Sequence, residues 1–444
     1  MTFCILHQWT FPVHLHSPFR SLPKTVAGKF SGLDGSAFTN ADPSVAHPRL
    51  PSVRRQKDQI RSCNTFAHVF DLKAAFFQLP LAPCIRKYFW FTSQGLHYQY
   101  AVLPMGFSLS VGILQPILEA LAEACCESPT PGSVNFIAYV DNIRFCSTDP
   151  SLLTQSTSLF EELCKEFSVT LGPPPDPNIF LGVHYDYTLA TCSLSADSIY
   201  KCSSALRNLF TSPCLATLQK AFGHLLWAST VLELSLCDYF FLIKFYSRRS
   251  AMYATTPDLP FPIWPSITPD LLHWMRAIET NTPVRLTPLP SSTISWALVT
   301  DASSSGYGCV WLSSSGHIVW SSGLWTDSEL LLHINCKEMR SITYALANFP
   351  TAYNPSDPLH IFTDSTSAHG ALRRHHSPSW GVTSELRRLL PLVTPLMTFS
   401  WLPSRSNVAD APSRGRCPSP SAIAGFFASD TLADRMGCMG DTED

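Results

Sequence analysis

The sequence predicts a multidomain α+β protein. Its 444 residues are enough for two or three domains, each with a hydrophobic core of its own. Hydrophobic residues make up 45% and charged residues 14% of the chain, which is typical of a folded protein rather than a disordered one. Strand-like and helix-like patterns alternate in two separate regions, and stretches rich in Pro separate these regions.

Six consecutive segments follow from these patterns. They are residues 1–63 (irregular, rich in Pro, Ser and Gly), 64–195 (compact, mixed strands and helices), 196–254 (helical almost throughout), 255–291 (a Pro-rich connection), 292–416 (a second mixed region) and 417–444 (a tail). We expect the tail to be weakly ordered because it lacks a clear apolar anchor.

The first mixed region is predicted to contain two strand segments and two helices. They are a strand at 66–72, an amphipathic helix at 114–127, a strand–turn–strand hairpin at 135–147 and a helix at 151–168. Asp141 and Asn142 are expected at the turn of the hairpin, because both residue types favour turns.

The second mixed region begins with three successive strands. Strand and helix patterns then alternate: strands within 293–323, a helix at 333–349, a strand at 358–365, a helix at 383–393 and a strand at 397–403.

Charge and cysteine usage limit the function classes. A net charge of −2 argues against a protein that is basic throughout, although residues 1–70 carry eight Lys or Arg and only three Asp. That local excess suits either phosphate contacts or an ordinary solvated surface. The fifteen Cys residues form no Cys-x-x-Cys pair, which favours free thiols in a reduced intracellular compartment, with cytoplasm and nucleus both open.

No membrane partner is expected from the sequence. Pro391, Pro395 and Pro403 interrupt the most apolar stretch before it reaches the length of a membrane span. The first sixteen residues lack the basic segment, continuous apolar core and cleavage site of a signal peptide.

Two carboxylates in the first mixed region stand where apolar strands end. Asp71 lies in VFDLKAAFF and Asp141 lies in YVDN. Two acids brought together in this way repel each other, and divalent cations relieve the repulsion. A pair of cations about 3.5–4 Å apart then suits phosphoryl transfer, whereas a turn-capping role is the alternative for either Asp alone.

The sequence segments around these acids resemble reverse transcriptase motifs over roughly residues 45–250. FDLKAAFFQLPLAP is similar to the first catalytic motif, and LPMGFSLSVGILQPIL is similar to the motif that positions the deoxynucleotide. YVDN resembles the metal-binding hairpin, and IFLGV resembles the primer-grip hairpin. The resemblance implies a right-hand polymerase of fingers, palm and thumb that uses an RNA template, a DNA primer and dNTPs.

The resemblance also assigns roles to individual residues. It implies that Asp71 and Asp141 hold two Mg²⁺ (or Mn²⁺) ions. Phe76 would reject a ribose 2′-hydroxyl by bulk, and the backbone around Met105 and Gly106 would shape the floor beneath the incoming nucleotide. Without the resemblance, Phe76 would be interpreted as core and Gly106 as a turn.

The chain departs from the family pattern at three places. Asn142 stands where the hairpin usually has a second Asp, so one negative charge is lost while a carbonyl acceptor remains. TLGPPPDPN contains no Lys near the expected triphosphate position. The first sixty residues match the usual fingers poorly.

Four acids recur in the second mixed region. Asp301 follows the strand SWALVT, Glu338 lies within a helix, Asp364 ends the strand HIFTD, and Asp410 lies in SNVADAPSR. Such a set suits cation-assisted attack of water on a phosphodiester, whereas four unrelated surface acids are the alternative.

The sequence segments around these acids, within residues 292–416, resemble a ribonuclease H domain. VTDASSSGYGCVW is similar to its opening hairpin and FTDSTSAHGAL to its central strand and following helix. WLPSRSNVADAPSR is similar to the closing motif of retroelement ribonuclease H, including Asn407, Asp410, Ser413 and Arg414. The resemblance implies a mixed α/β domain in which Asp301, Glu338, Asp364 and Asp410 hold two further cations and cleave RNA in an RNA–DNA hybrid.

Domain order narrows the kind of retroelement. No protease or integrase motif accompanies the two regions, which is similar to DIRS-like elements, whose tyrosine recombinase is encoded separately. Hepadnavirus polymerases are the alternative, on the words Pro-Met-Gly and Pro-Ser-Arg-Gly, but FDLKAAFFQLPL and LQKAFGHLLW favour the DIRS-like interpretation. A remnant that binds nucleic acid and keeps at most ribonuclease H activity is the rival function, and Asn142 favours it.

Overall fold

The structure is a computed structural model that describes residues 50–61, 66–107, 109–126, 134–286 and 295–428. The chain divides into two compact units, Met1–Ser195 and Ala196–Asp444. This division coincides with the boundary that the sequence predicts between residues 195 and 196. Most of residues 1–63 lies outside the described residues, including four of the eight basic residues of segment 1–70.

The described part of the first unit mixes short strands with three helices. In chain order its elements are α1 (Val53–Arg61), β1 (Phe66–Asp71), β2 (Trp90–Ser93), β3 (Leu96–Gln99), α2 (Ser110–Glu123), β4 (Asn135–Tyr139), β5 (Asn142–Ser147), α3 (Pro150–Glu166), β6 (Ile179–Phe180), β7 (Val183–Asp186) and β8 (Thr191–Leu194). Short 3₁₀ turns lie at Ala75–Gln78 and Arg86–Tyr88.

A three-stranded antiparallel sheet of order β1–β5–β4, called the palm sheet below, forms the centre of this unit. Phe70, Ile143 and Phe145 of the sheet pack against Leu118 of α2 and Phe160 of α3, so both helices cover one face. Helix α3 begins where it does because its N-cap is built into the sequence.

Asp149 precedes α3, and its carboxylate accepts hydrogen bonds from the backbone N–H of Ser151 at 2.7 Å and Leu152 at 3.3 Å. Pro150 fits the first helical position, where no N–H donor is needed. These two features fix the start of α3 and hence the way its apolar side reaches the palm sheet.

The second unit opens with helices and continues with a mixed sheet. Its elements are α4 (Ala196–Thr211), α5 (Leu215–Leu232), α6 (Phe240–Met252), α7 (Thr268–Thr280), β9 (Val284–Arg285), β10 (Trp296–Ala302), β11 (Gly306–Ser313), β12 (Ile318–Leu324), α8 (Asp327–Leu330), α9 (Ile334–Ala347), β13 (Leu359–Thr363), α10 (Thr366–Arg374), α11 (Trp380–Leu389), β14 (Met397–Trp401), α12 (Asp410–Ser413) and α13 (Pro420–Ala428). None of the helices in the described ranges combines the length and apolar character needed to cross a membrane.

The five-stranded sheet of this unit has the order β12–β11–β10–β13–β14. The first three strands are antiparallel neighbours, whereas β13 runs parallel to both β10 and β14. This is the mixed α/β arrangement expected for residues 292–416. Strand β10 is the central strand of this sheet. The Asp301 carboxylate near its end therefore has a neighbouring strand on each side.

Strand β10 is buried on both faces. Trp296 and Leu298 belong to a core that includes residues of α9, α10 and α11. Ala297 and Val299 face a second core on the other side of the sheet, which Phe426 of α13 completes. Strand β10 therefore has a continuous run of apolar residues instead of alternating apolar and polar ones, as expected for a strand buried on both faces.

Four segments differ from the sequence-based expectation. Residues 53–61, expected to be irregular, are helical. The region 197–250, expected to be one helical stretch, is broken between α4 and α5 and between α5 and α6. The Pro-rich connection contains α7, which buries Leu271, Trp274 and Ile278.

The fourth difference concerns the tail. Residues 420–428 form α13 because Phe426 is buried against Phe362, with ring centroids 5.4 Å apart. Packing of Phe426 in the apolar cluster that contains Phe362 thus supplies an anchor that composition did not reveal. Residues 429–444 lie outside the described part of the chain.

A buried ion network supports the sheet domain and gives a testable prediction. Glu329 accepts hydrogen bonds from Arg340 Nη1 at 2.9 Å, from Thr326 Oγ1 at 2.7 Å and from the Tyr344 hydroxyl. Burial raises the pKa of Glu329, but these hydrogen bonds outweigh burial and bring the pKa down from 4.5 to about 2. The depressed pKa means that Glu329 stabilises the folded state above pH 4.5 and that this contribution is lost as pH falls towards 2.

We therefore expect Glu329→Gln to lower the free energy of unfolding at pH 7 by about 2–3 kcal/mol. The variant should also lose less stability than the native chain between pH 4.5 and 2. Urea unfolding followed across this pH range measures both effects. Equal pH dependence in the two proteins would contradict the assignment, and Glu279→Gln, at an exposed site, is the matched control.

Candidate active sites

The first pair of predicted acids meets at one end of the palm sheet. Asp71, the last residue of β1, lies opposite Asn142, the first residue of β5. The backbone N–H of Leu72 donates to the carbonyl oxygen of Asp141 at 2.8 Å, which fixes the two chain segments side by side. The turn between β4 and β5 consists of Val140 and Asp141, so Asn142 belongs to the strand and not to the turn as the sequence suggested.

Gln115 of α2 clamps this turn, a role that sequence reasoning missed. Its Nε2 donates to the carbonyl oxygen of Ala138 at 2.9 Å, and its Oε1 accepts from the N–H of Val140 at 2.7 Å. Val140 adopts a left-handed conformation with φ 57°, which is unfavourable for a β-branched residue. The amide of Gln115 holds this strained backbone, and the sequence signal was a polar residue on the otherwise mainly apolar buried side of α2.

Asp71 is crowded from the other side by residues 170–172. The N–H of Gly172 donates to the carbonyl oxygen of Asp71 at 2.6 Å, and a Cβ at position 172 would lie 2.9 Å from Asp71 Oδ2. Any side chain at position 172 would therefore push the carboxylate away. Burial, followed by repulsion from Asp141, raises the pKa of Asp71, as expected for two acids that share a site.

Asn142 interacts directly with its neighbouring acid. Its Nδ2 donates a hydrogen bond to Asp141 Oδ1 at 3.0 Å. An aspartate at position 142 would instead place a third negative charge at this end of the sheet. The amide thus orients Asp141 while reducing the charge available to cations.

The other residues implied by the resemblance surround this end of the sheet. Phe76 lies in the 3₁₀ turn after β1 and is partly buried against both the palm core and the small cluster of Leu81, Phe89 and Leu103. Met105 is 54% exposed, and Gly106 has φ 96°, a conformation that favours glycine. The placement of these side chains is compatible with their implied roles, which remain predictions.

Three of the four acids of the second region converge. One carboxylate oxygen each from Asp301, Glu338 and Asp364 lies within 4.8 Å of the others. Asp301 comes from β10, Glu338 from α9 and Asp364 from the end of β13, which neighbours β10 in the sheet. Parallel pairing of β10 and β13 places both strand ends at the same edge, and α9 crosses that edge.

The electrostatics of this acid cluster favour a bound cation. Burial, then repulsion from Asp301 and Asp364, raises the pKa of Glu338 to about 9. Burial, then repulsion from Asp364 and Asp410, outweighs a hydrogen bond from Ser413 and raises the pKa of Asp301 to about 6. Glu338 Oε2 is buried without a hydrogen-bond partner. Three converging oxygen ligands, one of them unsatisfied, fit a hard divalent cation.

The closing motif supports Asp301 through Asn407. The Nδ2 of Asn407 donates to Asp301 Oδ1 at 3.1 Å, and the N–H of Ala409 donates to Asn407 Oδ1 at 3.0 Å. The segment also packs tightly on β11, because a Cβ at Gly308 would lie 2.3 Å from the backbone N of Ser413. Asn407 of the closing motif thus holds the Asp301 carboxylate in place, and Gly308 of the opening hairpin leaves room for the backbone of Ser413.

Asp410 does not join the three converging acids. Its side chain is half exposed and pairs with Arg414 Nη2 at 2.9 Å. Repulsion from Asp410 is nevertheless one of the smaller causes that raise the pKa of Asp301. The resemblance implies that all four acids hold cations, whereas the structure brings three of them together and leaves Asp410 at the rim, paired with Arg414.

Raised pKa values make cation binding depend on pH. When folding raises the pKa of a carboxyl, the folded protein loses stability as pH rises from the unfolded-state pKa to the folded-state pKa. For Glu338 this range runs from 4.5 towards 9. Divalent cations favour the ionised carboxylates. In EDTA we therefore expect Tm to fall between pH 5 and 9, and added Mg²⁺ should raise Tm by a few degrees more at pH 8 than at pH 5.5.

Differential scanning fluorimetry across this pH range measures the effect. Glu338→Gln should remove most of the pH-dependent increase in Tm that Mg²⁺ causes, whereas Glu279→Gln should keep it. A cation response that is independent of pH in the native chain would refute the assignment.

Comparison with known families addresses the first site. Residues 19–173 match the family described as "Reverse transcriptase (RNA-dependent DNA polymerase)". The chain contains a reverse transcriptase domain. The match includes both acids of the palm sheet and begins well before residue 50, so it covers part of the N-terminal segment that departs from the usual fingers. It ends before the hairpin of β6 and β7.

A viral polyprotein and several solved structures are similar to longer parts of the chain. The Gag-Pro-Pol polyprotein of Human T-cell leukemia virus 3 (strain 2026ND) is 28% identical over 201 residues, which are 43% of this chain and 13% of the polyprotein. A foamy viral protease–reverse transcriptase in complex with double-stranded DNA has a TM-score of 0.45 at 16% identity, over 83% of this chain and 62% of that one. The foamy viral protein in complex with an RNA/DNA hybrid has a TM-score of 0.43 at 18% identity, over 81% of this chain and 47% of that one.

Proposed function

We propose that this chain is a retroelement reverse transcriptase with two activities, RNA-directed DNA polymerisation and cleavage of RNA in RNA–DNA hybrids. The convergence of Asp301, Glu338 and Asp364 within 4.8 Å carries the second activity. The reverse transcriptase domain and the pairing of Asp71 with the Asp141 turn carry the first. Two Mg²⁺ or Mn²⁺ ions at each site would neutralise charge on the phosphate and activate the attacking oxygen.

At the hybrid-cleaving site, the residues of this chain divide the work. Asp301, Glu338 and Asp364 would hold the cations, and Asn407 would keep the Asp301 carboxylate oriented. Asp410, at the rim, is placed to bind the outer side of a cation or to assist departure of a product. The pair that Asp410 forms with Arg414 must open for either task.

At the polymerising site, Asp71 and Asp141 would hold the cations beside the α-phosphate of a dNTP. Phe76 would exclude the 2′-hydroxyl, and the backbone at Met105 and Gly106 would lie beneath the base. Asn142 would set the orientation of Asp141 through the 3.0 Å hydrogen bond. Template, primer and hybrid are thus proposed as the nucleic-acid partners.

A second candidate function is a catalytically impaired remnant that binds nucleic acid. Asn142 favours it, because the amide leaves the polymerising site with one negative charge fewer than the family pattern. The intact hybrid-cleaving acids oppose a complete loss of function. An intermediate case, with ribonuclease H activity alone, is distinguishable by experiment.

The kind of element is also part of the proposal. We assign the chain to the DIRS-like group, on FDLKAAFFQLPL and LQKAFGHLLW, with a separately encoded tyrosine recombinase as a partner. We place it in a reduced compartment of the cell, in line with the twelve free cysteines of the described residues.

Two assays on the purified native chain test the proposal. The first follows extension of a labelled DNA primer on an RNA template, and the second follows cleavage of labelled RNA annealed to DNA, both with Mg²⁺ and with EDTA. Both activities should require the cation. Hybrid cleavage without extension would support the impaired remnant, and the absence of both would refute enzymatic function.

A further inference from the structure

Arg144 of strand β5 is a fully buried cation close to the polymerising site. It lies two residues after Asn142, and its side chain is 0% exposed. Its neighbours Ile143 and Phe145 pack in the palm core with α2 and α3. Because alternate residues of a strand share a face, Arg144 and Asn142 project from the opposite side of the sheet.

On that side, one guanidinium joins three elements. Its Nη2 donates to the carbonyl oxygen of Gln56 at 3.0 Å and to Gln59 Oε1 at 2.9 Å, both in helix α1. Its Cζ lies 4.8 Å from the ring centroid of Phe180 in β6 and 4.6 Å from that of Tyr185 in β7. The cation therefore lies between helix α1 and the hairpin of β6 and β7, against two aromatic rings.

Two of the three guanidinium nitrogens of Arg144 have no polar partner within the described part of the chain. Among the described residues, no acid forms an ion pair with Arg144, and its Nε and Nη1 have no hydrogen-bond partner. A buried charge of this kind costs more than an apolar side chain of similar length. Packing alone would be served as well by Met or Leu, so the cation requires another explanation.

The contacts of Arg144 reach two buried aromatic side chains of the β6–β7 hairpin. Phe180 and Tyr185 are completely buried, and the Tyr185 hydroxyl donates to Gln56 Oε1 at 3.3 Å. The same strand that carries Arg144 begins at Asn142, next to Asp141. Strand β5 thus begins next to Asp141 and contacts the hairpin through Arg144.

We propose that Arg144 is a positioning residue that fixes the β6–β7 hairpin relative to Asp71 and Asp141, so that the primer strand of a bound duplex meets the acid pair. The last clause rests on the proposed polymerase function. The fixing of the hairpin does not, and it has a readout of its own.

The experiment compares Arg144→Met and Arg144→Lys with the native chain. Methionine keeps the length but removes the charge and the planar group, whereas lysine keeps the charge without the planar fork. We expect amide hydrogen exchange across residues 179–186 to accelerate by about tenfold in Arg144→Met, with little change in Tm. The KM for primer–template should rise by about tenfold while the KM for dNTP stays near the native value. Arg144→Lys should be intermediate in both.

The control is Arg207→Met, at an exposed position of α4. Unchanged exchange across 179–186 in both variants at position 144 would overturn the proposal, whatever the catalytic result. A uniform increase across residues 66–186, with a lower Tm, would also overturn it, because it would indicate a merely structural residue. If Arg144→Met does not fold, Arg144→Lys carries the same comparison. Faster hairpin exchange in a chain whose native form extends no primer would support the positioning role and count against the proposed polymerase function alone.

Discussion

Asp301→Asn is expected to lower cleavage of RNA in an RNA–DNA hybrid by on the order of 10³-fold, equivalent to about 4 kcal/mol of transition-state stabilisation. Asparagine has nearly the same shape and still accepts the hydrogen bond from Asn407, so the fold should persist. What is lost is one ionisable oxygen of the three that converge. Release of labelled RNA fragments at saturating Mg²⁺ measures the effect.

Two comparisons make this prediction specific. Asp327→Asn, at an exposed site of α8, removes a carboxylate of the same unit outside the cluster and should leave cleavage unchanged. Asp410→Asn should cost less than Asp301→Asn, about tenfold, because Asp410 lies at the rim and pairs with Arg414. Equal losses in the variants at 301 and 410 would mean that Asp410 moves into the cluster when substrate binds, and the expected rank order would be wrong.

The palm sheet and the five-stranded sheet were predictable because their signals are local. Alternation or a continuous apolar run marks each strand, and the acids at strand ends stand out by residue type. Asp71, Asp141, Asp301 and Asp364 stand at such strand ends, and the resemblance of their flanking motifs predicts them as cation ligands. Helix α9, with Glu338, follows from apolar spacing alone.

Other features depend on contacts that no local pattern encodes. Whether Asp410 converges with Asp301 depends on the conformation of the chain after Asn407, where Asp410 begins the four-residue helix α12. The ordering of helix α13 depends on the packing of the Phe426 ring against Phe362. The burial of Arg144 depends on α1 and the β6–β7 hairpin meeting on one face of the palm sheet.

The largest effect at the polymerising site is expected from Asp71→Ala. Removing a cation ligand should lower primer extension on an RNA template by on the order of 10³-fold or more. Because burial and repulsion from Asp141 both raise the pKa of Asp71, removing its carboxylate should not destabilise the palm sheet. Extension with Mg²⁺, by the native chain and the variant side by side, measures the loss, and Asp197→Asn, in an exposed pair with Lys201, is the control.

Asn142→Asp tests the departure from the family pattern in the opposite direction. The substitution removes the amide that donates to Asp141 and adds a negative charge next to two acids. Without cations the added carboxylate repels the two neighbouring acids. With cations it is a further ligand, so primer extension should rise by about tenfold and need less Mg²⁺.

The native chain and these two variants together separate the functions. Extension by the native chain that disappears in Asp71→Ala would establish a working polymerase in which an amide suffices at position 142. Extension only after Asn142→Asp would mean that the 3.0 Å hydrogen bond to Asp141 occupies a carboxylate oxygen that the cations need. If neither protein extends a primer while Asp301-dependent hybrid cleavage persists, the charge at the palm sheet is not the limiting defect, and the chain acts as a ribonuclease H attached to an inactive polymerase domain.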